Sequence, residues 1–123
     1  MTSKKHAAGG NAGEAIFQKR VYPAKNIRLV ICGRIAAPDK WESGVSLSMD
    51  PKASGKSVAQ MAFNTQAIGG GWHGGGWLRL LEFMPDRKTV KATTFSPLFA
   101  ISPSTRHLAW KRDPLNEFVF SLE

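Results

Sequence analysis

Asn26-Ile27-Arg28-Leu29-Val30-Ile31-Cys32-Gly33-Arg34-Ile35-Ala36-Ala37-Pro38 is a near-continuous apolar run that stops at a glycine followed by a charged residue. The stretch Ile27 to Cys32 reads as a strand buried on both faces, because its apolar residues run on instead of alternating. A strand that ends in a Gly turn carries its next side chains to the carboxyl edge of the sheet, where open α/β sheets bind ligands. Gly33 and Arg34 are therefore candidate ligand-binding residues.

Upstream of this run, Asn11 and Glu14 have the spacing of a capping box. They predict a helix with Ala12, Ala15, Ile16 and Lys19 on one side, ended by Pro23, since the residue before a proline leaves the helical region. Helix, short loop and buried strand form half of a βαβ unit, and the strand before the helix is the missing half. Residues 1–10 are small, basic and Gly-rich, and are expected to be a disordered tail in front of one domain over 11–123.

Downstream the period changes to two. Val45, Leu47 and Met49 alternate with Ser46 and Ser48, while Ala59, Met61 and Phe63 alternate with Gln60, Ala62 and Asn64, which predicts two antiparallel half-buried strands. Asp50 to Ser57 is a turn-rich connection between them. Gly69 to Gly76 holds six glycines around Trp72 and His73 and must be a loop. Trp77 to Met84 and Thr89 to Phe95 are strands joined by a tight turn starting at Pro85-Asp86. Leu98 to Asn116 contains Pro103 and Pro114 and reads as an irregular connection, with Phe99 and Trp110 as its anchors. Phe118, Phe120 and Leu122 alternate in a last strand. The class expected is α+β, a mostly antiparallel β-sheet with one N-terminal helix.

Composition narrows the function. The 123 residues carry 17 Lys and Arg against 9 Asp and Glu, a formal net charge of +8 that attracts polyanions. The cations are scattered (Lys4, Lys19, Arg28, Lys52, Arg87, Arg112) without a basic stripe, which favours a solvated surface over nucleic-acid binding. A single cysteine, Cys32, excludes an internal disulfide and reads as a buried small hydrophobe. His6, His73 and His107 lie far apart, so no metal-binding spacing exists. The start Met-Thr-Ser-Lys-Lys-His lacks the apolar core of a signal peptide and no stretch resembles a membrane span, so the expected location is the cytoplasm.

Ser54-Gly55-Lys56-Ser57 ends like a P-loop, but Asp50 stands where the motif needs its first glycine and a strand pattern follows where it needs a helix. A polar hairpin turn is the better reading. In the glycine loop, Trp72, His73 and Trp77 are side chains that line pockets or stack on rings, and Trp72 and His73 join the candidate ligand-binding residues. Nucleophilic catalysis has no support, since Cys32 has no histidine near it in sequence and no serine sits in a nucleophile elbow. The nine acids are scattered, none in an apparently buried context.

Lys25-Asn-Ile-Arg-Leu-Val-Ile-Cys-Gly-Arg-Ile-Ala resembles the strand and turn that carry the last metal-binding motif, Gly-His-x-His, of the calcineurin-like metallophosphoesterases. The similarity continues in order through Val58-Ala-Gln-Met-Ala-Phe-Asn, the Gly-rich loop, Gly76-Trp-Leu-Arg-Leu-Leu-Glu-Phe, Thr94-Phe-Ser-Pro and Glu117-Phe-Val-Phe. It covers the chain from about Gly10 to the end, in the order of the carboxyl-terminal part of such an enzyme. The resemblance implies part of an α/β/β/α sandwich that hydrolyses phosphate esters with two divalent metal ions. It also implies a chain that is silent alone, because the family's Asp-x-His, Gly-Asp and Gly-Asn-His motifs do not occur here. Arg34 and Ala36 replace the two histidines of the matched motif; guanidinium has no lone pair for a cation and alanine no ligand atom. No catalytic residue, metal ligand or cofactor is therefore assigned to this chain. The expected partner is a second copy or an upstream phosphoesterase half. The alternative is a small basic module that binds an anionic ligand, nucleic acid among them, through Arg34 and the Gly-Trp-His loop.

Overall fold

The computed structural model describes residues 11–33, 44–66 and 74–123. It is an α+β fold with two small sheets. Helix α1 (Asn11–Ile16) runs directly into a π turn, Phe17–Val21. Strands β1 (Leu29–Cys32), β2 (Val45–Pro51) and β3 (Ser57–Phe63) make the first sheet, in the order β1-β3-β2. Strands β4 (Leu78–Phe83), β5 (Thr89–Phe95) and β6 (Phe118–Ser121) make the second, in sequence order. Between β5 and β6 lie a short helix α2 (Pro97–Ile101) and a single 3-10 turn, Arg106–Leu108.

β1 runs parallel to β3, with Leu29 opposite Ala59 and Ile31 opposite Met61. β2 is antiparallel to β3, with Leu47 opposite Met61 and Met49 opposite Ala59, as the alternation predicts. The second sheet is antiparallel throughout. Ala59 and Met61 of β3 meet Val90 and Ala92 of β5, Phe120 of β6 and Leu122, and together they close the core between the sheets. Met61 is 1% exposed, and burying a side chain of its size contributes about 1.5–3 kcal/mol. On the opposite face of β3, Val58 packs under Phe17 and Val21, so the layers run helix, sheet, sheet.

Three expectations need correction. The helix does not bury the side carrying Ala15, Ile16 and Lys19, which are exposed; Phe17 and Val21, four residues apart, face the sheet instead. The ring of Phe17 simply offers more apolar area than alanine does. β3 is not half-buried: Val58 to Ala62 are all buried, because a layer covers each face and a strand each edge. β1, by contrast, is not buried on both faces but stands at the sheet edge, and Ile31 is 60% exposed. The expected tail at residues 1–10 lies outside the described residues.

The β2–β3 turn is the polar hairpin turn expected at Ser54-Gly55-Lys56-Ser57, with Gly55 at φ +79°. Lys52 N donates to Lys56 O at 2.8 Å, and Gly55 N donates to Lys52 O at 3.0 Å. Lys52 itself turns inward and is 4% exposed. Its ammonium donates to the carbonyls of Ala24 at 3.0 Å, Lys25 at 3.4 Å and Ile27. One buried cation thus collects three carbonyls of the link between the helix and β1, groups that no strand ladder satisfies. Lys52→Met leaves those carbonyls without a donor, and we expect a loss of about 2–3 kcal/mol, read as a lower urea midpoint at unchanged m-value.

At the β4–β5 turn, Asp86 accepts from Lys88 N at 2.9 Å, from Thr89 N at 2.8 Å and from the Thr89 hydroxyl. Those bonds, Thr89 foremost, hold its pKa at about 2 against an ordinary 3.8. A carboxylate with a depressed folded pKa stabilises the fold above its unfolded pKa and loses that contribution as pH falls through the folded one. The urea midpoint of the wild type should therefore drop between about pH 4 and pH 2, and Asp86→Asn should remove this part of the drop.

Candidate ligand-binding cleft

β1 ends at Gly33, and the β3 backbone lies so near that a Cβ at this glycine would stand 3.4 Å from Phe63 O. Across from it, the chain enters β4 through Gly74, Gly75 and Gly76, all left-handed at φ +54°, +62° and +63°. Side chains do not fit there. A Cβ on Gly74 would lie 2.5 Å from Thr65 O, and one on Gly75 2.6 Å from Trp77 Nε1. The turn is fastened to α2 by Ser96, which caps that helix by accepting from Phe99 N at 3.2 Å and donates to Gly75 O. Phe99 then meets Trp77 edge-on at 5.3 Å. Phe99 and Trp110 do anchor the long connection as expected, Trp110 lying 4.5 Å from Phe95.

Between the edges of β1 and β4 this leaves a cleft of about 420 Å³. Its lining includes Ile31, Cys32 and Gly33 on one side, Trp77 and Arg79 on the other, and Met61 and Phe63 at its base. A mostly apolar concavity with a few polar groups is the usual form of a ligand site. Of the residues expected in a site, Gly33 and the pocket-lining Trp77 are brought together here. Arg34, Trp72 and His73, like Ala36 and His6, lie outside the described residues.

Arg79 is the residue that sequence reading missed. Its guanidinium sits over the rings of Phe63 at 4.5 Å and Phe118 at 5.2 Å. It donates to Leu115 O at 2.8 Å, Asn116 Oδ1 at 3.1 Å and Thr94 Oγ1 at 3.3 Å. Burial lowers its pKa to about 10, opposed by the field of Asp113. Asn116, which accepts from Arg79, in turn donates through its amide to both carboxylate oxygens of Asp113 at 3.0 and 3.1 Å. Alternation along β4 does not single out a buried face, since Arg79, Leu81 and Phe83 share one side and Leu78, Leu80 and Glu82 the other, so no local signal marks this arginine.

Cys32 is half-buried and not fully enclosed; its thiol donates to Met61 O at 3.4 Å. Burial raises its pKa, which disfavours the thiolate that a nucleophile or metal ligand requires. A fixed guanidinium and a protonated thiol do not suit divalent cations, so the described lining does not fit the two metals the resemblance implies. Among the described residues no three His, Cys, Asp or Glu gather into a metal-binding group. The acids are not all in exposed settings, however: Asp50 is 4% exposed and accepts from Gln60 at 2.7 Å and Ser48 at 2.6 Å. Both partners are on the helix side of the first sheet, away from the cleft.

Comparison with family models, with curated proteins and with solved structures returns no match in any of the three. Among the described residues no helix is long and apolar enough to cross a membrane.

The Cys32 environment makes a direct expectation. At pH 8 the native protein should react with iodoacetamide several-fold more slowly than the same chain in urea. Equal rates would mean that the thiol is neither covered nor raised in pKa.

Proposed function

We propose that this chain corresponds to the carboxyl-terminal portion of a calcineurin-like metallophosphoesterase and is catalytically silent by itself. The observation that carries the reading is β1. It follows a helix packed on the first sheet, runs parallel to β3, and ends at Gly33 in the lining of the cleft between two face-packed sheets. On this reading β1 corresponds to the strand bearing the Gly-His-x-His motif, and helix, sheet, sheet to three successive layers of an α/β/β/α sandwich. Arg34 and Ala36 in place of both histidines support silence, as does a described lining that does not suit divalent cations.

The same strand supports a need for a partner. Among the described residues β1 pairs only with β3, and β4 only with β5, and both open edges border the one cleft. An apolar strand at an edge is a template for further pairing. On this reading an upstream strand of the parent enzyme would pair beside β1, completing a βαβ unit through α1. The occupant is an upstream phosphoesterase half or, in its absence, a second copy.

Purified protein given an aryl phosphate and manganese should turn over at background, and sedimentation should show concentration-dependent association. Robust turnover abolished by a chelator would overturn silence. A stable species that stays monomeric at every concentration would overturn the need for a partner.

A further inference from the structure

At the pole opposite the cleft, four stretches far apart in sequence converge on one depression of about 480 Å³. Arg28 comes from the entry to β1, Gly55, Lys56 and Ser57 from the β2–β3 turn, Lys88 from the β4–β5 turn, and Leu122 and Glu123 follow β6. Three cations scattered in the sequence, Arg28, Lys56 and Lys88, are thus brought to one depression. Gly55 leaves the turn open, since a Cβ there would meet nothing within 4 Å.

Three cations and one carboxylate line the groove. Glu123 accepts from Lys88 at 2.6 Å, and both side chains are well exposed. That bond holds Lys88 above its ordinary pKa, with Arg28 opposing, while Lys88 and then Lys56 hold Glu123 below its own against the fields of Asp86 and burial. The groups therefore feel one another across the depression. Asp86 is committed to its own turn by three donors. Among the described residues no ion pair engages Arg28 or Lys56.

We propose that this groove binds a phosphate-bearing anion of more than one charge, with Arg28 and Lys56 as its direct partners and Glu123 as an internal anion that competes with it for Lys88. Guanidinium offers a planar fork and ammonium a point charge to phosphate oxygens, and the Ser57 hydroxyl adds a neutral donor. The site does not depend on the phosphoesterase reading, because it uses neither the cleft nor the Gly33 turn.

The test is an amide chemical-shift titration of the full chain at low salt, with tripolyphosphate in one arm and a short oligothymidylate in the other. Shifts should centre on residues 28, 55–57, 88 and 122–123, and affinity should fall as salt rises. Arg28→Ala and Lys56→Ala should each weaken binding about two- to fivefold, and Glu123→Gln should tighten it by a similar factor. Lys19→Ala, an exposed cation on the π turn outside the groove, should change nothing. Saturation by tripolyphosphate alone would mark a free oligophosphate as the source, and saturation by the oligonucleotide alone a phosphodiester backbone. Either supports the site. Failure of both, shifts centred elsewhere, or a loss with Lys19→Ala equal to that with Arg28→Ala would overturn it in favour of diffuse surface charge.

Discussion

Val58 on one face of β3 and Ala59 and Met61 on the other meet different layers, the first under Phe17 and Val21, the others against β5 and β6. β3 also has a ladder on each edge, parallel to β1 and antiparallel to β2. Its seven residues are therefore the common wall of both hydrophobic clusters. Removing volume there would loosen the helix and the second sheet together, because packed interiors pass strain to their neighbours. The peripheral devices fix what β3 leaves free: Lys52 holds the approach to β1, and Ser96 ties the glycine turn to α2.

Much of this arrangement is legible in the amino acids. Alternation in Val45 to Met49 agrees with the β2–β3 register, which sets Leu47 opposite Met61 and Met49 opposite Ala59. Thr89 to Phe95 is found at its predicted bounds, and Pro85-Asp86 turns where it should. The failures share a cause. Which side of α1 is buried, how exposed β1 is and where Arg79 goes all depend on what lies across the interior, and local pattern does not contain that. An arginine read along β4 is one more surface cation; it becomes a core residue only once Phe63, Phe118 and Asn116 stand around it.

The site was legible in the same uneven way. Gly33 and Trp77 were found because glycine at a strand end and tryptophan beside glycines have local meaning. Arg28 and Lys56 were noted apart and Lys88 was not singled out, since 28 and 32 residues separate the three in turn. Long-range convergence of charge is a property of topology, here of the entry to β1 and two hairpin turns placed at one pole by two stacked sheets.

The open edge of β1 also bears on how the protein behaves as a colloid. Among the described residues, Leu29 to Cys32 has a strand partner on one side only and carries apolar side chains, a combination that sticks to like surfaces. A net charge of +8 opposes that contact by mutual repulsion acting over about a Debye length. The two act on different scales, attraction at contact and repulsion at a distance. Added salt screens the repulsion and leaves the contact attraction in place, so ionic strength sets the balance between the two.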